Sequence, residues 1–141
     1  MRVTAIGSAL LLLTAGCARP YDPELDDLAR SQVLRIAYYP DTAPKEGIHW
    51  TVDEKPLAGI LAKLEIRGQE KGTLTGIGRS LVITFVTEKG CLIETQFVKP
   101  DQLDRSDWGQ ILLKGNGFYK AICAEVSKRI GQPYDPFEVG Q

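Results

Sequence analysis

Along the chain, apolar and polar positions change rhythm in a way that marks most of the elements. Val33 to Tyr39 is a run of mostly apolar and aromatic residues that stops at Pro40, and it reads as a strand. His49-Trp50-Thr51-Val52 reads as a second, shorter strand and Asp53 to Pro56 as a turn. From Leu57 to Arg67 the pattern fits two structures. Leu57, Ile60, Leu61 and Leu64 share a helix face, whereas Leu64 to Arg67 alternate as a strand does. Gly59 and Gly68 punctuate this stretch, which favours a strand for at least its second half. Ser80 to Glu88 and Cys91 to Val98 are again strand-like, with Lys89-Gly90 between them as a two-residue hairpin turn. Such a turn sets Glu88 opposite Cys91, Val86 opposite Ile93, Thr84 opposite Thr95 and Val82 opposite Phe97, all on one largely apolar face.

Helices are expected towards the ends. Asp22-Pro23-Glu24 has the makings of a helix start, with Asp as cap, Pro at the first helical position and acids in the first turn, and the helix would run to about Ser31. Asp101 to Asp104 reads as a turn, and Ser106-Asp107 as the cap of a helix through Leu113. Phe118, Ile122, Val126 and Ile130 recur every fourth residue with Tyr119 and Cys123 beside them, which predicts an amphipathic helix ended by Gly131. Strands bunched centrally with helices at the ends imply an α+β fold. The expectation is a small single domain over residues 33–131, an antiparallel sheet with a central hairpin packed against a C-terminal amphipathic helix. Residues 17–32 would form a tether and short helix, and 132–141 a polar C-terminal tail.

The first residues follow a different logic. Met1-Arg2 is a positive start, Val3 to Leu13 carries no charge, and Thr14-Ala15-Gly16-Cys17-Ala18 is a run of small residues. That sequence of features marks a secretory signal peptide over residues 1–16, too short for a membrane span of about 20 apolar residues. Leu13-Thr14-Ala15-Gly16-Cys17 resembles the lipobox of bacterial lipoproteins, with Thr14 where that family usually has Leu. The resemblance implies cleavage before Cys17, a diacylglycerol on its sulfur and a fatty acyl group, such as palmitate, on its freed amine. Several acyl chains make a stable anchor where a single chain is marginal. Ala18 resembles the residue that follows the cysteine in lipoproteins of the outer membrane, which implies an envelope protein facing the periplasm. An ordinary signal cut after Gly16-Cys17-Ala18 is the other reading of the same residues, and it would release a soluble protein.

Charge and chemistry narrow the picture further. The 141 residues carry 17 basic and 18 acidic side chains, a formal net charge of −1. There is no basic excess to neutralise phosphates, so nucleic acid is not an expected partner. Export places the domain in an oxidising compartment, where Cys91 and Cys123 have each other as the one pairing left after Cys17 is lipidated. A disulfide pinning helix to hairpin would stabilise by roughly 3–4 kcal/mol, and two buried thiols are the alternative. His49 is the single histidine, and none of Ser31, Ser80, Ser106 and Ser127 sits in a G-x-S-x-G elbow. Gly72 to Ser80 departs from the phosphate-loop spacing at Thr73 and Arg79, and Leu81 holds the third glycine position of a dinucleotide fingerprint. The acids Asp22, Glu24, Asp26 and Asp27 suit a helix start better than a metal. No catalytic residue, metal or cofactor is therefore assigned.

Two features stay open. A carboxylate pair acting on glycans could draw on Glu65, Glu70, Glu88 and Glu94. Pro20-Tyr21-Asp22-Pro23 recurs as Pro133-Tyr134-Asp135-Pro136, either as paired docking peptides or as turn-forming tethers. The expected role is a lipid-anchored structural or accessory component of a multi-protein envelope assembly, with the bilayer and envelope proteins as partners. The alternative is a ligand-binding or cell-wall-acting, glycan hydrolase-like domain, which predicts a concave site lined by Trp50, Trp108 or Tyr119.

Overall fold

Seven strands and three helices account for residues 25–40, 46–72, 80–105 and 109–138, the parts of the chain that the computed structural model describes. In chain order they are α1 (Leu25–Ala29), β1 (Val33–Tyr38), β2 (Ile48–Val52), α2 (Glu54–Leu61), β3 (Ile66–Lys71), β4 (Leu81–Val86), β5 (Leu92–Lys99), β6 (Gln102–Arg105), β7 (Gly109–Leu113) and α3 (Gly117–Ile130). The strands form one sheet in the order β2-β1-β4-β5-β6-β7-β3, with every pairing antiparallel. This is the α+β domain expected, with the β4–β5 hairpin at its centre and the amphipathic helix α3 packed on one face.

The register of that hairpin differs from the two-residue turn expected at Lys89-Gly90. Val86 pairs with Leu92, Phe85 with Ile93, Thr84 with Glu94 and Ile83 with Thr95. The loop holds three residues, Glu88-Lys89-Gly90, closed by Thr87 N–H to Cys91 C=O (3.0 Å) and Gly90 N–H to Thr87 C=O (2.9 Å). Gly90 has φ +80°, the left-handed residue that such three-residue loops require. Because strand side chains alternate with period two, the extra loop residue turns β4 over. Leu81, Ile83 and Phe85 face the core in place of Val82, Thr84 and Val86.

Two further expectations change. Asp53 to Pro56 is no turn but the entry to α2, whose Leu57 and Ile60 are buried and override the helix-weakening Gly59. Gly109 to Leu113 is a strand, not a helix: all five residues are buried, and β7 pairs with β3 on one side and β6 on the other. A run buried on both faces has no alternation to betray it. The turn expected at Asp101 to Asp104 gives way to β6 from Gln102 onward.

Phe118, Tyr119, Ile122, Cys123 and Val126 form the buried stripe of α3. Phe118 stacks against Phe85 (centroids 6.0 Å, 24°) and also meets Phe97 (5.8 Å). Leu57, Ile60 and Leu64 complete the core from α2 and the turn after it, and Leu28 does so from α1. Each fully buried Phe or Leu stabilises the fold by about 2–3 kcal/mol.

The expected Cys91–Cys123 disulfide is not formed, and both residues are thiols. Cys91 closes the hairpin loop, where its N–H donates to Thr87 Oγ1 (3.1 Å). Cys123 lies one helical turn beyond Tyr119, whose ring packs edge-on against Phe97 (5.1 Å). From Cys91 to Phe97 the strand runs about 20 Å, while a disulfide needs Cα atoms within about 7 Å.

Gly109 tests this architecture. It has φ +144°, and a Cβ there would stand 2.4 Å from the Glu70 carbonyl oxygen of β3. Gly109→Ala should lower stability by about 2 kcal/mol or more in urea unfolding, whereas Gly59→Ala, in open space on α2, should raise it by about 0.5–1 kcal/mol.

Candidate functional site

Strand alternation builds a cleft at one end of the sheet. At β1, Arg35, Ala37 and Tyr39 fall on the side away from α3, while Ile36 and Tyr38 fall on the helix side. Cross-strand neighbours extend the first set into two rows: His49, Ala37 and Val82 in one, and Thr51, Arg35, Thr84 and Glu94 in the next. The chain after α3 turns at Gly131 and brings Pro133 to Phe137 against the helix side of the same end. The cleft wraps around this end of the sheet and takes lining from both faces, including Tyr38, Tyr39, Trp50, Tyr119, Tyr134 and Phe137. Its volume, about 1320 Å³, exceeds the roughly 300–1,000 Å³ of a pocket for a compact small molecule.

The polar groups in the cleft are few and separated. Arg35 and Glu94 stand two strand spacings apart, about 10 Å, with Thr84 between them. Among the described residues neither enters a salt bridge. Tyr39 lies against Gly47, where a Cβ would come within 2.6 Å of its ring, and meets His49 edge-on (5.6 Å). The indole of Trp50 lies under the Arg129 guanidinium (5.9 Å), and its Nε1–H is buried with no acceptor. A buried donor left unmade costs about 1–3 kcal/mol.

Pro133 to Phe137 is held by a clamp on α3, which makes this stretch part of the packed structure rather than a loose tail. The Tyr119 hydroxyl donates to Asp135 Oδ1 (2.5 Å) and accepts from Phe137 N–H (3.1 Å). Tyr134 N–H donates to Ser127 Oγ (2.9 Å), which in turn donates to Cys123 C=O (2.7 Å). The Tyr134 ring meets Tyr38 edge-on (5.3 Å). Burial pushes the Tyr119 hydroxyl well above its ordinary range, and the bond to Asp135 adds to the rise. Burial also pushes the Cys123 thiol up to about 11, opposed by its hydrogen bond with Tyr119 and helped by the Asp135 charge.

Several residues singled out in the sequence are not brought together. Cys17, Ala18, Pro20 to Pro23, most of the Gly72 to Ser80 run, Ser106 and Trp108 lie outside the described residues. His49 is exposed and lines the cleft, and among the described residues no hydrogen bond joins it to a serine or carboxylate. Ser31 and Ser127 spend their hydroxyls on the carbonyls of Leu28 and Cys123. Of the four glutamates, only Glu94 lines the cleft. Glu65 precedes β3, Glu70 lies on β3 at the far edge, and Glu88 sits in the hairpin loop. Among the described residues no group of three His, Cys, Asp or Glu could hold a metal ion. The expected aromatic lining is present in Trp50 and Tyr119. Tyr38, Tyr39 and Arg35 were not anticipated, and the one signal for the clamp was the repeated Pro-Tyr-Asp-Pro. A scan of family models, a search of curated proteins and a search of solved structures each returned no match.

The buried thiol gives a direct check. In the native protein at neutral pH, a thiol reagent should modify half-buried Cys91 and leave Cys123 untouched until the chain unfolds. The fold holds the Cys123 proton more tightly than the unfolded chain does. Its stabilising contribution is therefore full below pH 9.0 and lost as pH rises through about 11, with Tyr119 acting in the same direction. Urea midpoints measured across that range should fall, and fall less in Cys123→Ala.

Proposed function

We propose that this chain is a lipid-anchored envelope protein, held at the outer membrane through Cys17 and facing the periplasm, whose domain serves as an accessory component by binding an extended segment of an envelope partner. The anchor half of this reading is supported by the signal-like run and the lipobox resemblance ending at Cys17. The binding half is carried by the cleft: aromatic rings on two faces of one sheet end, and an Arg35 and a Glu94 too far apart to neutralise each other. A long groove with aromatic anchors and separated charges suits a chain-like ligand that offers several contacts in a row. Among the described residues no helix is long and apolar enough to cross a membrane.

A second reading, a domain acting on cell-wall glycan, draws support from the same aromatic lining at Trp50 and Tyr119. Hydrolysis by paired carboxylates would need a second acid beside Glu94. The other acidic lining residue, Asp135, accepts a hydrogen bond from Tyr119 and stands in the clamp. Binding asks less of these residues, and for that reason we favour it.

Two experiments test the two halves. Cys17→Ser should move the protein from the membrane fraction to the soluble fraction and abolish acyl mass on the mature chain. Unchanged fractionation and mass would remove the anchor. From solubilised membranes the wild-type chain should recover a defined set of partners, and Tyr39→Ala with Arg35→Glu should lose that set while keeping the circular dichroism of the fold. Recovery of the same partners by the double variant would sink the role given to the cleft.

A further inference from the structure

The groove beside α3 holds the side chains of two consecutive residues, Tyr134 and Asp135. Tyr134 gives its N–H to Ser127 and its ring to Tyr38, Asp135 accepts from Tyr119, and the flanking Pro133 and Pro136 are exposed. Phe137 makes two contacts with Tyr119, its N–H to the hydroxyl and its ring against the Tyr119 ring (centroids 5.6 Å). The same four residues occur once more in the chain, as Pro20-Tyr21-Asp22-Pro23. The flanks differ, Arg19 and Glu24 against Gln132 and Phe137, so the second motif carries the Tyr and Asp contacts but not the Phe137 ring contact.

We propose that this groove is a receptor for Pro-Tyr-Asp-Pro, and that its second ligand is Pro20 to Pro23 from another copy of this chain, which displaces Pro133 to Pro136 and links copies head to tail. Reach argues for another copy. Tyr21 stands four residues before α1, a span of about 14 Å at full extension. Helix α1 is fixed at the hairpin-loop end of the sheet, where Asp27 and Arg30 meet Lys89 and Glu88. The groove lies at the Tyr38 end, a strand length of about 17 Å away. The groove of the same copy is also occupied by its own C-terminal segment. A contact between two different surfaces does not close on itself, so the linkage extends from copy to copy. This inference rests on the proposed anchor only for gathering copies on one surface. The groove's preference is a property of the domain.

The test uses a fluorescent hexapeptide, Arg-Pro-Tyr-Asp-Pro-Glu, titrated onto the full chain. Tyr134→Ala with Asp135→Ala removes the resident side-chain contacts of the motif, loosens the segment, and should bind the peptide about tenfold or more tightly than wild type, whose own segment competes. Adding Tyr119→Phe should weaken binding about tenfold, the loss of one hydrogen bond to a charged group. Ser127→Ala should also weaken it, and serves if the tyrosine variant fails to fold by circular dichroism. Equal affinity for a peptide with Tyr and Asp exchanged, or no binding to a folded double variant, overturns the receptor. In detergent, Tyr21→Ala should lower the average particle mass of the full chain by light scattering. An unchanged mass overturns the link between copies. Peptide binding needs neither lipid nor partner, so its failure leaves the anchoring reading standing, and failure of the Cys17→Ser test leaves the groove.

Discussion

The face that the β4–β5 hairpin presents to α3 governs everything else in this structure. Phe85 and Phe97 come from the two strands of that hairpin, and Phe118 touches both from the helix. Their encounter depends on one backbone feature, the left-handed Gly90 that makes the loop three residues long. A slip of one residue would send Phe85 outward and bring Thr84 under the helix, because a strand has only two faces. β1 inherits its orientation from β4, since Leu34 stands opposite Phe85 and Ile36 opposite Ile83. β2 inherits its own from β1, which puts Trp50 on the helix side and His49 on the other. The two faces of the cleft are thus fixed by a glycine at the opposite end of the sheet.

This chain of dependence explains which parts of the sequence were readable. The α+β class, β1, β2, the hairpin and α3 follow from periodicity, since each has one wet and one dry side and the pattern records it. Helix α3 was legible almost residue by residue, because its stripe and its terminal Gly131 are both local signals. Strand β7 was not, because burial on both faces erases the alternation and leaves a run that a helix could equally use. The hairpin register turned on whether Glu88 belongs to a strand or a loop, and residue types alone fit both. The expectation of a disulfide came from treating helix and hairpin as neighbours without knowing which ends met, and the structure holds Cys91 and Cys123 apart. Hydrophobic pattern gives adjacency of elements but not their offset along the strand.

The cleft shows a similar split. Trp50 and Tyr119 were expected in any concave site, as large aromatics often are. Arg35, Tyr38 and Tyr39 gave no sign, since inside a strand they read as ordinary alternating residues. The clamp was half visible: the repeated tetrapeptide stood out, but its contacts join residues far along the chain. Ser127, Tyr119 and Tyr38 come from α3 and β1, and only the fold brings them to Pro133 to Pro136.

Tyr119 carries two duties whose requirements conflict, and that conflict says something about the clamp. Its ring belongs to the core, packed on Phe97, while its hydroxyl must serve Asp135 and the Phe137 N–H. A buried hydroxyl without partners would cost about 1–3 kcal/mol. The C-terminal segment therefore satisfies a polar atom that the core has already drawn out of water, and its departure would expose that cost unless another chain supplied the same two groups. The Asp22 carboxylate and the backbone N–H of Glu24, the residue after the second Pro-Tyr-Asp-Pro, are the corresponding groups. Exchange of one occupant for another is easier for the groove than vacancy, because vacancy is the state that the buried hydroxyl penalises.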